Sequence, residues 1–81
     1  MRAEEIQKLI EKGLQPCTAS VTSPDDIHFS ATVISPLFAN KNRIQKQQLV
    51  YATLGKHIND GTIHAISLKT FTPDEWHQQQ A

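Results

Sequence analysis

Four histidines and one cysteine are the nitrogen and sulfur ligands that this 81-residue chain offers a metal. Two of the histidines, His28 and His64, each stand at the start of a segment with the residue pattern of a β-strand. That position places an imidazole at the rim of a sheet. Two neutral imidazoles are good ligands for a borderline metal or for one iron of a [2Fe–2S] cluster. If both strands end on the same edge, the rings converge on one open site, whose other ligands a second protein must supply. The alternative is two ordinary histidines at a sheet rim.

The remaining candidate ligands favour structural roles. His57 is expected near the C-terminal end of a helix, where a cation is favoured, and His77 lies in a solvated last helix. Cys17 falls on the apolar face of a strand pattern, so we interpret it as a small buried hydrophobic residue. One cysteine forms neither an internal disulfide nor a four-thiolate cluster, which fits a reducing cytoplasm.

The motifs that usually accompany catalysis are missing from the sequence. It contains no GxSxG motif, no phosphate-binding glycine loop and no HExxH motif, and glycine occurs only three times. Asp25 and Asp26 form a carboxylate pair, but in a Ser-Pro-Asp-Asp turn such a pair is far more often solvated than catalytic. We therefore predict that the protein is not an enzyme.

Charge is unevenly distributed along the chain, although the net charge is zero. Residues 27–59 contain no Asp or Glu, and they carry four basic residues: Lys41, Arg43, Lys46 and Lys56. A basic stretch of this kind indicates an anionic partner. The alternative interpretation is a solvated, lysine-bearing helix face without a partner.

The first half of the chain predicts a helix followed by a β-hairpin. An amphipathic helix with Ile6 and Ile10 on its apolar face ends at Gly13. Residues 17–22 and 28–35 then alternate between apolar and polar side chains, which is the pattern of two half-buried strands. The short polar loop between them predicts that these strands pair as a hairpin.

The second half predicts a helix, a strand and a last helix. Asn40 or Asn42 caps the central helix, and residues 59–61, Asn-Asp-Gly, end it. Residues 62–70 are rich in β-branched side chains and predict a third strand. Residues 72–75, Thr-Pro-Asp-Glu, form a capping box with proline at the first helical position, so the last helix starts there.

Three smaller features complete the expected elements. Phe71 and Trp76 occupy the two positions of a hydrophobic staple around the capping box. Leu37 and Phe38 are expected to form a short apolar turn that fills the core. Residues 78–80, three glutamines, are expected to be a frayed tail.

The order helix, strand, strand, turn, helix, strand, helix predicts one α+β domain over residues 1–81. The long central helix allows a crossover that lays the third strand beside the hairpin. We expect an αββαβα fold, in which a three-stranded sheet is packed by helices on one side. No apolar run approaches the roughly 18 residues that cross a bilayer, so no membrane partner is expected.

The segment IHAISLKTFTPDEW at residues 63–76, together with QKQQLVY at residues 45–51, resembles the BolA family. The likeness extends from the first helix to Trp76, and within the family it is to the short acid-stress branch, the IbaG-like proteins. It implies a fold similar to a type II KH domain. It also implies a cytoplasmic partner of monothiol glutaredoxins, in which a [2Fe–2S] cluster is shared with the glutaredoxin and glutathione.

The resemblance implies roles for both rim histidines. His64 matches the family's cluster ligand at the start of the third strand, and His28 matches the second ligand from the hairpin region. Family members with a longer hairpin loop carry an additional His or Cys within it, whereas residues 22–27 contain neither. No cofactor is expected in the isolated chain, because glutaredoxin and glutathione bring the thiolates.

The resemblance also implies an alternative function, that of a DNA-binding transcriptional regulator in the stress response. The family's helix-turn-helix-like region corresponds to residues 37–51, where Lys41, Arg43 and Lys46 would contact phosphates and position the protein without reading base sequence. The KH-type GXXG loop that clamps a nucleotide backbone is absent. The sequence leaves open a weak homodimer of the free chain.

Overall fold

The computed structural model describes residues 1–80. Its helices are α1 (Ala3–Gly13), α2 (Arg43–Asn59) and α3 (Pro73–Gln80), and its strands are β1 (Thr18–Thr22), β2 (His28–Ile34) and β3 (Ala65–Phe71). A single turn of 3-10 helix, Pro36–Phe38, follows β2. The predicted α+β order is confirmed. Within residues 1–80, no helix is long and apolar enough to cross a bilayer.

The three strands form one mixed sheet in the order β1-β2-β3. β1 and β2 pair antiparallel with Thr18 opposite Ile34, whereas β2 and β3 pair parallel with His28 opposite Ala65. Parallel neighbours need a long connection, and α2 provides it. The central strand is therefore paired along both sides, while within residues 1–80 β1 and β3 each have one edge without a neighbouring strand.

The core lies between one face of the sheet and helices α1 and α2. Alternate residues of β1 and β2 point into it, as the period of two predicts. The buried apolar side chains are Ile6, Ile10, Leu14, Ala19, Val21, Phe29, Ala31, Val33, Phe38, Val50, Leu54 and Ile63. The buried side chains of the sheet thus come from β1 and β2, whereas β3 adds only the half-buried Ile66 and Leu68.

Ser35 is a fully buried polar residue at the end of β2. Its hydroxyl donates to the Pro16 carbonyl at 2.7 Å and accepts from the Leu37 amide at 3.1 Å, while its own amide donates to the Phe71 carbonyl at 2.9 Å. The Ser35 carbonyl accepts from the Phe38 amide at 3.2 Å, so every polar group of the residue has a partner. Because Ser35 caps the 3-10 turn, β2 ends at Ile34, one residue before the predicted end.

The capping predictions for the two later helices are confirmed. The Gln45 amide donates to the Asn42 side chain at 2.8 Å, so Asn42 is the cap of α2. At the start of α3, the Glu75 amide donates to Thr72 Oγ1 at 3.1 Å and the Thr72 amide donates to the Glu75 carboxylate at 2.8 Å. The rings of Phe71 and Trp76 pack with centroids 5.4 Å apart, as the predicted staple requires.

The predicted start of the third strand was wrong by three residues. The Thr62 amide donates to the Asp60 carboxylate at 2.9 Å, and the Ile63 amide donates to the His57 carbonyl at 3.0 Å. These bonds fold the segment back onto the end of α2, so β3 begins only at Ala65. His64 therefore lies one residue before the strand.

Two smaller predictions were also wrong. The glutamines at residues 78–80 belong to α3 and are not a frayed tail. Leu37 is 40% exposed whereas Phe38 is fully buried, so only the phenylalanine of the apolar turn fills the core.

Candidate functional site

The parallel pairing of β2 and β3 places His28 and His64 at the same edge of the sheet. His28 is opposite Ala65, and His64 is the residue just before Ala65. Because neighbouring strands lie about 4.8 Å apart, the backbones of the two histidines are close neighbours. Both side chains are exposed.

The two imidazoles nevertheless face different surroundings. His28 precedes the buried Phe29 in β2, so its side chain lies on the open face of the sheet. His64 instead lines a cavity of about 590 Å³ between α2 and β3, and His28 is not part of that cavity. The cavity wall is largely apolar and includes Tyr51 and Ile58. The structure thus brings the histidines to one edge but not into one cavity.

Asp25 is the direct partner of His28. One carboxylate oxygen, Oδ2, lies 2.8 Å from Nδ1 of the His28 ring. The other oxygen accepts from the backbone amides of Ile27 at 3.0 Å and His28 at 2.8 Å. The His28 backbone N–H, with smaller effects from the His28 ring and the Ile27 N–H, holds the pKa of the Asp25 carboxyl well below its usual range.

This contact was missed by the sequence interpretation, which placed Asp25 in a solvated turn. The carboxylate is exposed, as that interpretation holds, but it also organises the loop between β1 and β2. The available signal was the spacing: an Asp at the start of a turn commonly accepts from backbone amides two and three residues on. Three residues on from Asp25 is His28.

Cys17 is remote from the edge of the sheet that carries His28 and His64, here called the histidine edge. It precedes Thr18, which pairs with Ile34 at the opposite end of β2 from His28. The cysteine is half-buried, with Sγ 3.7 Å from the Ile10 carbonyl oxygen. Burial, and secondarily the charge of Glu11, raises the pKa of the thiol. The prediction of a buried cysteine is thus correct only in part, because Cys17 is half-buried and packs against the core without lying inside it. A raised pKa makes this thiol a poor metal ligand, since it is the thiolate that binds metals.

The donor set at the histidine edge is incomplete as a metal site. Within the described part of the chain, no three His, Cys, Asp or Glu side chains are grouped so as to hold a metal ion. The edge can offer one or two imidazole ligands. These residues fit a site whose remaining ligands come from another protein, as the sequence interpretation requires.

The basic residues lie on a different surface, at the start of α2. Lys41 and Arg43 are exposed. Lys46 instead forms an ion pair with Glu75, with Nζ 3.0 Å from the carboxylate, and its side chain is only 12% exposed. The absence of acidic residues from 27–59 therefore does not make this surface free of acidic groups.

Lys69 is a basic residue that the sequence interpretation missed. A cavity of about 290 Å³ between α2 and β3 is lined by Arg43, Lys46 and Lys69. Lys69 is exposed at an alternate position of β3. Its proximity to α2 depends on the sheet topology, and no local sequence pattern indicates it.

The fold and the site define a small α+β domain with an exposed pair of edge histidines and a separate basic surface. The family model described as BolA-like protein matches residues 10–75 of the chain. The chain therefore belongs to the BolA family.

Individual relatives agree with this assignment. The acid stress protein IbaG of Escherichia coli (strain K12) is 40% identical over 76 residues, which cover 94% of this chain and 89% of that protein. The DNA-binding transcriptional regulator BolA of Haemophilus influenzae is 30% identical over 83 residues, covering 91% of this chain and 80% of that protein. The solved structure of a BolA protein homologue from Coxiella burnetii is 38% identical, with a TM-score of 0.85 over 95% of this chain and 97% of that chain.

Proposed function

We propose that the protein is an adaptor that holds a [2Fe–2S] cluster jointly with a monothiol glutaredoxin and glutathione, and that His64 is its main ligand. The observation that carries the proposal is the position of His64. Its imidazole is exposed at the edge of the sheet and lines the cavity between α2 and β3. Membership of the BolA family supports the choice of partner.

The surroundings of His64 suit a ligand that is shared between two proteins. Tyr51, Ile58 and Ile66 line the same cavity, and Tyr51 is 37% exposed. An apolar surface beside an exposed imidazole allows a bound partner to exclude water around the ligand, and solvent exclusion tunes a metal centre. The thiolates of the partner and glutathione would complete a coordination sphere that histidine alone leaves open.

The first expected outcome concerns His64→Ala in the complex with a monothiol glutaredoxin. Loss of a ligand should weaken cluster retention by at least the roughly 10- to 100-fold that removal of an outer-shell partner costs. Retention would be measured by visible absorption and circular dichroism of the co-purified complex under anaerobic conditions, during titration with a chelator.

His77→Ala is the matched control, because His77 is an exposed histidine on α3 away from the cavity. It should retain the cluster like the wild type. If His64→Ala and His77→Ala gave the same spectra and the same retention, His64 would not be the ligand. Far-ultraviolet circular dichroism would establish that both variants are folded.

DNA binding is the second candidate function. The cavity lined by Arg43, Lys46 and Lys69, here called the basic cavity, favours it. Arg43 and Lys69 line one cavity from two different elements, and Lys41, which precedes α2 by two residues, is exposed. The similarity to the BolA regulator of Haemophilus influenzae supports the same candidate. Contacts of this kind bind phosphates without reading bases, so affinity should be modest and strongly dependent on salt.

For this candidate we expect Arg43→Ala and Lys69→Ala each to weaken duplex binding and to reduce the salt slope by about 1. Lys56→Ala is the control, since Lys56 is exposed near the other end of α2. Fluorescence anisotropy with a labelled duplex over a range of salt concentrations would measure both quantities. Identical slopes for all three variants and the wild type would exclude this surface as the contact.

A further inference from the structure

We infer that Asp25 is a positioning residue that holds His28 in the tautomer protonated at Nδ1, which leaves Nε2 as the ring nitrogen available to a metal. The inference rests on the proposed function for the identity of the metal group, and it adds to that function a residue outside the ligand pair. It assigns Nε2 as the coordinating atom of His28, and it assigns the positioning of that imidazole to the loop between β1 and β2.

The tautomer follows from the chemistry of the contact. Asp25 Oδ2 lies 2.8 Å from His28 Nδ1, a hydrogen-bond distance. An ionised carboxylate can only accept hydrogen bonds, so the ring nitrogen that faces it must carry the proton. In a neutral imidazole the other nitrogen, Nε2, then has the lone pair. Histidines that bind metals commonly donate their second ring N–H to a carboxylate in this way, which fixes both tautomer and ring orientation.

The carboxylate is anchored independently of the ring that it contacts. Asp25 Oδ1 accepts from the backbone amides of Ile27 and His28, at 3.0 and 2.8 Å. Ser23 closes the same loop, since its hydroxyl accepts from the Asp26 amide at 2.9 Å. The carboxylate is thus anchored by backbone amides, and the imidazole takes its orientation from Asp25.

Stability alone does not account for the pair. Both side chains are substantially exposed, 69% for His28 and 40% for Asp25. Exposed ion pairs contribute little to folding stability because solvent and salt screen them. The contact therefore does more for the direction and protonation of the imidazole than for the free energy of unfolding.

The test compares Asp25→Asn with Asp26→Asn in the free chain. Asparagine at 25 keeps an oxygen for the two backbone amides, but it places an NH₂ donor opposite Nδ1. Long-range ¹H–¹⁵N spectra at mildly alkaline pH report the tautomer of each histidine. We expect the wild type to have His28 mainly protonated at Nδ1 and Asp25→Asn to invert that ratio in favour of Nε2.

Asp26→Asn is the matched control, because it removes the same charge from the neighbouring residue, whose contact in the loop is through its backbone amide. It should leave the His28 tautomer as in the wild type. An Asp25→Asn spectrum equal to that of the wild type, or a wild type already protonated at Nε2, would overturn the inference.

Cluster retention in the glutaredoxin complex separates this inference from the proposed function. Asp25→Asn and His28→Ala should both weaken retention, and Asp26→Asn should not. If neither variant weakens retention while His64→Ala does, the role of Asp25 and His28 is overturned and the proposed function stands. If His28→Ala weakens retention and Asp25→Asn does not, the positioning role alone is overturned. Unchanged retention in His64→Ala would instead overturn the proposed function.

Discussion

At the residue scale, Gly13 shows how a single missing side chain sets the distance between two helices. A Cβ at this position would lie 2.8 Å from Cγ2 and 3.0 Å from Cβ of Thr53 on α2. Thr53 is itself held by a hydrogen bond from Oγ1 to the Val50 carbonyl at 2.6 Å. Gly13 ends α1 as predicted, but among the glycines only Gly61 has a left-handed backbone, with φ of 81°.

We expect Gly13→Ala to destabilise the protein by about 1 kcal/mol, because overpacking at the helix contact outweighs the better helix propensity of alanine. Urea unfolding would measure the change. Thr53→Ser removes Cγ2 but keeps the hydroxyl, so it should recover much of the loss in the double variant. Gly55→Ala is the control: a Cβ there meets no atom within 4 Å, and the variant should gain up to about 1 kcal/mol. Equal effects at the two glycines would contradict the contact.

Residue types alone could identify His64 and His28 as the candidate ligands, since each follows a turn and opens an extended segment. The orientation of the two rings could not be derived in that way. It depends on which residue of β2 lies opposite which residue of β3, and the parallel register is set by packing across the whole sheet. The proximity of Lys69 to Arg43 and Lys46 was missed for the same reason.

At the scale of elements, local signals predicted the helix ends better than the strand ends. The caps at Asn42 and Thr72 are short-range hydrogen bonds, so the residues that make them stand three positions apart in the sequence. The start of β3 depends instead on a bond from Ile63 to the carbonyl of His57 on α2. The β-branched residues before Ala65 indicated a strand, but the chain reversal made by this bond at the end of α2 overrides their propensity.

Glu75 links α3 to the rest of the molecule, because its carboxylate accepts from the Thr72 amide and from Lys46 of α2. The Thr72 backbone N–H and then Lys46 lower the pKa of Glu75 from its ordinary value of 4.5. A carboxyl group whose pKa is lower in the folded state stabilises the fold above the ordinary pKa. That contribution is lost as the pH falls through the lowered value.

We therefore expect Glu75→Gln to be less stable than the wild type at neutral pH, with a difference that shrinks in acid. The fluorescence of Trp76, which packs on Phe71 at the start of α3, would follow unfolding at each pH. Asp74→Asn removes the same charge from the same first turn and should leave the pH profile of the wild type largely intact. Matching profiles for the two variants would argue against the role of Glu75.

At the scale of the whole molecule, the fold joins segments that are remote along the chain. β3 pairs with β2 along all seven of its residues, from Ala65 to Phe71, although α2 and two connections separate the strands. The histidine edge and the basic cavity both depend on this late pairing, because each combines β3 with an earlier element. The α+β class followed from element order alone, whereas these two surfaces exist only in the assembled sheet.

That arrangement has a consequence during synthesis on the ribosome. Until residues 65–71 have left the exit tunnel, β2 has a neighbour on one side only, and the amides and carbonyls of its other side lack their eventual partners. An unpaired hydrophobic strand is a template for pairing between chains. Nascent or truncated chains that stop before residue 65 should therefore aggregate. The tendency to aggregate should fall once β3 is present and pairs with β2.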